Sequence, residues 1–254
     1  MTATTTPAVR VDHLSMRYGR SPVLALSDVN LVVNEGEFVC FLGRSGCGKS
    51  TLLSLAAGLE TPTAGRIDVG GRRVGMMFQD SGLFPWLTVQ GNIELALRLS
   101  GVPKAAWSDR VAELLDVVRL PGVQHRRPHE LSGGMRQRVA LARTLAQECQ
   151  VLLMDEPFAA LDAITRDAMH DEIERISTER ALTVLFVTHN VREAVRLGDR
   201  VVLMQPGPGR VASDLVVDLP RPRKMDDPDI ALRARMLHDQ LDEQSELERR
   251  SVAA

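Results

Sequence analysis

Residues 43–50 read Gly-Arg-Ser-Gly-Cys-Gly-Lys-Ser, GRSGCGKS, and come directly after the apolar run FVCFL at 38–42. The pattern is GxxxxGK[ST]. Glycines in such a loop let the backbone turn tightly and aim successive N–H groups at phosphate oxygens. Lys49 supplies a point charge for β- and γ-phosphates, and Ser50 an oxygen for Mg²⁺. The next residues, KSTLLSLAAGL (49–59), have helical propensity, so the loop opens a helix whose positive end faces the phosphates. Glycine makes up near 7% of ordinary sequences, so a chance match in a chain this long is about one in a hundred. A strand before the loop and a helix after it are the context the chemistry needs.

Composition narrows what the loop can serve. The chain has 254 residues, 44% hydrophobic and 25% charged, with a net charge of −2. That is a globular balance, and no basic field argues for nucleic acid. Cys40, Cys47 and Cys149 are far apart and show no metal-ligand spacing. A sparse, odd count points to a reducing cytoplasm and not to a disulfide scaffold. No run approaches the ~18–20 apolar residues of a spanning helix. The start, MTATTTPAVRV, lacks the apolar core of a secretory signal, and residues 1–8 are expected to be a disordered leader. Any contact with a membrane would then go through a partner.

Residues 9 to about 43 look strand-rich, with β-branched residues broken by turn chemistry. Residues 61–65 read as a Gly/Pro-rich break, RVGMMFQ (73–79) as a strand, and residues 92–119 and 132–147 as helices. In SGGMRQRVALARTLAQ, Met135, Val139, Ala142, Leu145 and Ala146 fall on one helical face. VLLM (151–154) and TVLFV (183–187) are continuously apolar, as in strands buried on both faces of a parallel sheet. Strand–loop–helix alternation with a mainly helical insert gives an α/β domain. After the Pro/Arg break PRPRK (220–224), Ile230, Ala234, Leu237 and Leu241 recur at helical spacing, which predicts a terminal helix packed by one stripe.

Two further motifs bear on the nucleotide. VLLMDEP (151–157) ends a buried strand in Asp155, whose carboxylate can hold the cation, usually through water. Glu156 beside it is placed to polarise an attacking water as general base. In ELSGGMRQRVALAR (130–143), Ser132 is a good helix cap, and Gly133 and Gly134 let a phosphate approach the first N–H groups. The chain thus offers two helix N-termini to the same kind of anion. One nucleotide needs only one, so the second is expected to serve a nucleotide held by another copy.

These motifs, in this order, resemble the ATP-binding subunit of an ABC transporter over roughly residues 9–220. That resemblance implies a P-loop NTPase fold with a RecA-like core, an N-terminal antiparallel β subdomain, a helical subdomain inserted at about 82–147, and a short helical tail at 221–254. It implies that Tyr18, in MRYG, stacks on adenine. Gly43, Arg44, Ser45, Gly46, Cys47, Gly48, Lys49, Ser50 and Thr51 would be the Walker A loop. Gln79 would be the Q-loop glutamine, Ser132, Gly133 and Gly134 the signature, and Asp155 and Glu156 the Walker B pair. Asp162, in ALD, would be the D-loop residue and His189, in FVTHN, the switch histidine. Mg²⁺ would be held by Ser50, Gln79 and Asp155, and catalysis carried by Glu156, His189 and Gln79. Met135 stands where glutamine is commoner in the signature, with little effect expected. The expected ligands are ATP and Mg²⁺, and the expected partner is a second copy, head to tail.

Within the family, one ATPase unit without a fused membrane domain resembles bacterial importers. LFPWLTVQGNI (83–93) and LPRPRKMDDPDIALRARML (219–237) resemble the nitrate/sulfonate/taurine branch. The implied assembly adds integral membrane permeases and a periplasmic or lipid-anchored solute-binding protein, with this chain peripheral on the cytoplasmic face. Leu83, Phe84, Trp86 and Leu87 would floor the groove for the permease, or Trp86 would simply pack the helical subdomain. Import of bicarbonate or of a pyrimidine vitamin precursor, export, and ATPase work on DNA or ribosomes are the competing readings. A P-loop kinase or GTPase would not need LSGGMRQR.

Overall fold

In a computed structural model, residues 6–19 and 21–252 are described, with side chains through residue 240. The chain divides into two compact units. The first runs to Gly70 and resumes at Leu185; the second comprises Gly71–Val184.

The first unit begins with β1 (Pro7–Met16) and β2 (Leu26–Asn34). β2 alternates buried and exposed residues, the period-two signature of a sheet with one face on the core. β1 is the central strand of an antiparallel three-stranded sheet, with β2 on one side and β4 (Ala64–Asp68) on the other. β3 (Phe38–Leu42) is buried at all five positions. It pairs in parallel with β8 (Arg200–Gln205), which pairs antiparallel with β9 (Arg210–Val216). Burial on both faces explains why β3 reads as unbroken apolar sequence. α1 (Lys49–Ala56) follows β3, and α6 (Val191–Leu197) follows β7 (Thr183–Thr188), the strand that leads out of the second unit.

α7 (Pro228–Val252) packs on α6 through Ile230, Ala234 and Leu237, all buried, as the stripe predicts; the side chain of Leu241 lies outside the described residues. The arm before α7 is anchored by arginines. Arg223 is buried and fans onto the carbonyls of Val195, Gly198, Val217 and Leu219. Arg221 donates to Leu197 O and to Asp199. These guanidinium groups satisfy the carbonyls left over at the C-terminus of α6, where cations are favoured.

The second unit pairs β5 (Val74–Met77) in parallel with β6 (Val151–Asp155). α4 (Gly133–Leu145) packs on β5, and α2 (Val89–Leu99) and α3 (Trp107–Val117) pack on α4. α5 (Ala163–Glu179) completes the unit. Buried Glu172 gathers Arg119, Arg138 and Arg175, and the last two also donate to carbonyls at the end of α3. A buried carboxylate thus retains cationic partners.

Three boundaries differ from the sequence reading. The expected leader overlaps β1, because Pro7 and Ala8 already belong to the strand; residues 1–5 lie outside those described. Residues 92–119 form two helices, not one. Gly101, at φ 79°, and Pro103 break the run between α2 and α3. Residues 61–65, read as a Gly/Pro break, pass directly into β4. Among the described residues no helix is long and apolar enough to cross a membrane.

Candidate functional site

The first unit carries the phosphate loop. It leaves β3 at Gly43 and enters α1 at Lys49. Only glycine fits at its two ends. A Cβ on Gly43 would lie 2.4 Å from Met204 O, and one on Gly48, at φ +91°, would lie 2.5 Å from Leu26 Cδ2. Gly48 caps α1 with no side-chain hydrogen bond, so the first N–H groups of α1 have no capping acceptor of their own. Lys49 is only 6% exposed. Its Nζ donates to Gly43 O at 2.7 Å and to Arg44 O at 3.1 Å, and lies 3.6 Å from Cys47 Sγ. The loop therefore holds its own cation at its centre, on main-chain oxygens.

Tyr18 is half exposed, and its hydroxyl donates to Thr51 Oγ1 at 3.3 Å. The ring accordingly stands beside the helix that the phosphate loop opens. His189 lies exposed between β7 and α6. The turn around it is pinned from both sides. Asn190 N donates to Thr188 Oγ1, and Asn190 Oδ1 accepts from Arg192 N and Glu193 N as the cap of α6.

The second unit carries the other predicted residues. Ser132 caps α4, its Oγ accepting from Met135 N at 3.3 Å. Gly134 is buried against α5, where a Cβ would come within 2.3 Å of Thr165 Cγ2. Thr165 is itself tied to Asp162, the cap of α5, by its N–H at 3.0 Å and its hydroxyl at 2.7 Å. These donors hold the Asp162 carboxyl below its usual range. Gly134 and Asp162 are thereby packed together, through Thr165, at the start of two adjoining helices.

Asp155 ends β6 and Glu156 follows it, both half-buried. Glu156 adopts φ 44°, in the left-handed region. That conformation costs a non-glycine residue about 1–2 kcal/mol, and strain of this kind gathers at functional sites. The turn is closed by Ala159 N donating to Glu156 O at 3.2 Å. Gln79 lies exposed in the segment after β5. Trp86 is 68% exposed and stacks on Phe84 with ring centroids 5.3 Å apart. Most of its surface is therefore left outside the packing of the helical subdomain.

The residues expected at a cation are Ser50 in the first unit and Gln79 and Asp155 in the second. Their donors are all oxygen, the set that suits Mg²⁺. No cluster of three His, Cys, Asp or Glu side chains able to hold a metal occurs among the described residues. Sequence reasoning missed the hydrogen bonds that hold the Gln79 segment, made by Gln137 and Arg143 of α4. Nothing in residue spacing signals a side chain that reaches a carbonyl on another element.

The ABC transporter family model matches residues 26–159. The aliphatic sulfonates import ATP-binding protein SsuB of Bacillus licheniformis is 44% identical over 228 residues, covering 87% of this chain and 88% of its own. The nitrate import ATP-binding protein NrtD of Synechocystis is 47% identical over 208 residues, covering 79% and 78%. The taurine import ATP-binding protein TauB of Mesorhizobium japonicum is 46% identical over 212 residues, covering 81% and 82%. Among solved structures, the ATP-binding cassette MJ0796, a dimer bound to ADP and Pi, superposes with a TM-score of 0.73. It has 30% identity and covers 84% of this chain and all of that one.

Proposed function

The chain belongs to the ABC transporter family, and we propose that it is the ATP-hydrolysing subunit of an importer for a small anion of the sulfonate, nitrate or taurine kind. What carries the proposal is identity of 44–47% to three importer ATPases across most of their lengths, with every nucleotide motif intact here.

Within this reading each residue takes a role. The uncapped N–H groups at the start of α1 receive phosphate oxygens, and Lys49 turns its Nζ from the loop carbonyls to the β- and γ-phosphates. Tyr18 offers its ring face to adenine. Ser50, Gln79 and Asp155 would each offer an oxygen to Mg²⁺, which would supply positive charge against that developing on the phosphates. Glu156 accepts a proton from the attacking water, and His189 orients that water against the γ-phosphate. ATP is cleaved to ADP and phosphate.

A second copy completes the site. The N-terminus of α4, capped by Ser132 and opened by Gly133, takes the nucleotide of the opposing chain, as the dimeric state of MJ0796 supports. ATP contacts present only in the closed dimer shift the population toward closure, and hydrolysis releases it. Exposed Trp86, set against half-buried Phe84, offers an apolar surface to a membrane permease. The chain itself then works at the cytoplasmic face of the membrane. Bicarbonate import is the second reading, because a bicarbonate transport ATP-binding protein is 45% identical over 216 residues.

The test is uptake in cells carrying Glu156→Gln at the native locus, with labelled taurine, an alkanesulfonate, nitrate and bicarbonate. Loss of one solute names the substrate and establishes import. Normal uptake of all four refutes the assignment to this small-anion branch.

A further inference from the structure

The segment after β5 does not hang free beside the signature helix. Gln137, on the second turn of α4, donates its Nε2 to Gln79 O at 2.8 Å. Six residues further along the same helix, Arg143 donates Nη1 to Gly82 O at 2.6 Å and Nη2 to Ser81 O at 2.9 Å. Six residues of α-helix span about 9 Å. The loop from Gln79 to Gly82 is therefore stitched along nearly two turns of α4, by three bonds that all end on main-chain oxygens. Asp80 Oδ1 and Asn92 Oδ1 accept from the N–H groups of Gly82 and Phe84, so the next residues are fixed too.

Gln137 is only 5% exposed, and its Oε1 is buried with no hydrogen-bond partner. An apolar residue would avoid that unmet acceptor, which carries a desolvation cost. What glutamine offers that methionine or leucine does not is the donor to Gln79 O.

We infer that Gln137 and Arg143 are positioning residues that make Gln79 and the signature helix move as one body. The inference rests on the reading of Gln79 as a nucleotide-site residue given above. Because the bonds go to the backbone, they fix where the Gln79 side chain starts without occupying its amide. In a head-to-tail dimer the signature of each copy serves the partner's ATP, while its Gln79 serves its own. One rigid strap would then report the engagement of one nucleotide at the other.

The experiment compares the full chain with Gln137→Met, Arg143→Lys and Arg143→Met. Methionine keeps length and helix propensity and removes the donor; lysine keeps charge and one donor in place of two. Two readouts are taken: hydrogen exchange of peptides covering 78–84 and 139–145, and ATPase rate against ATP and against Mg²⁺. A lost hydrogen bond of this kind is a roughly two- to tenfold effect. The expected result is exchange at 78–84 faster by about that factor in Gln137→Met and Arg143→Met, with 139–145 unchanged. Turnover should fall and half-saturating Mg²⁺ rise by a similar factor, while KM for ATP holds, with Arg143→Lys intermediate. Unchanged exchange at 78–84 overturns the strap. Faster exchange with wild-type turnover and Mg²⁺ dependence overturns the positioning role. Gln79→Ala separates the two readings. If it alters turnover and Mg²⁺ dependence while Gln137→Met does not, only this inference fails; if Gln79→Ala is itself silent, the reading of the Q-loop fails and takes the inference with it.

Discussion

Adding one methyl group to the signature tests how tightly it is packed. In Gly134→Ala the new Cβ would lie 2.3 Å from Thr165 Cγ2, about 1.1 Å short of ordinary contact. Thr165 cannot easily yield. It is β-branched, and rotating its methyl away moves the hydroxyl off Asp162 Oδ2. Overpacking of this kind costs about 1–3 kcal/mol, offset by up to about 1 kcal/mol from replacing a helical glycine with alanine. With the full offset, Gly134→Ala should therefore destabilise the protein by up to about 2 kcal/mol. Thr165→Ser deletes Cγ2 and keeps the hydroxyl, and the next atom, Thr165 Cβ, is at 3.8 Å. In that background Gly134→Ala should be neutral or stabilising by up to about 1 kcal/mol. Urea unfolding followed by tryptophan fluorescence suits the question, because both tryptophans, Trp86 and Trp107, lie in the same unit as the substitution. Equal destabilisation in both backgrounds refutes the contact with Thr165 as the reason for glycine.

Lys49→Ala removes a charge-assisted contact of about 1.5–3 kcal/mol, so ATP affinity by titration should drop roughly 10- to 150-fold; wild-type affinity would count against Lys49 as the phosphate ligand. Glu156→Gln should bind ATP normally and hydrolyse it about 10²–10⁴-fold more slowly, accumulating a dimer by light scattering at saturating ATP. A persistent monomer would contradict the composite site. Burial raises the Cys149 thiol to about 11 and lifts Cys40 well above its ordinary value, so both should resist maleimide at pH 7.5 in the folded protein, and rapid labelling of either would show its surroundings to be open. The Asp162 carboxyl is depressed in the fold. Its contribution is fully present above the unfolded value near 3.9 and is lost as pH falls through the folded one. Asp162→Asn, which keeps a capping oxygen, should flatten the loss of urea resistance below about pH 4; an unchanged slope would assign that loss to other carboxylates.

Part of the site was legible because backbone geometry dictates residue type: Gly43 and Gly48 admit no side chain. Lys49, Asp155 and Glu156 were legible from the phosphate and cation chemistry of the motifs they end. Continuous apolar runs marked β3, β6 and β7 because each is covered on both faces. β4 was hidden, since AGRID is largely exposed and its place is set by pairing with β1, not by its own pattern. β9, α5 and α6 carry no motif of their own and went unread, and β8 was passed over although its run VVLM is as continuously apolar as the others. The union of residues 92–119 into one helix ignored the left-handed turn at Gly101. The bonds from Gln137 and Arg143 were illegible because they end on carbonyls, which every residue possesses.

The fan of Arg223 bears on how the chain can be cut or joined. A boundary placed at residue 220 by motif content would divide a guanidinium from the carbonyls it caps at Val195 and Gly198. A protein truncated there would lose the C-terminal satisfaction of α6, the helix that begins two residues after His189. Lysine at 223 could not repair it, having no planar fork with which to reach several oxygens at once. An affinity tag or fused enzyme attached ahead of this arm would be expected to impair turnover without touching any nucleotide ligand. Attached after α7, the same cargo should be carried at no catalytic cost.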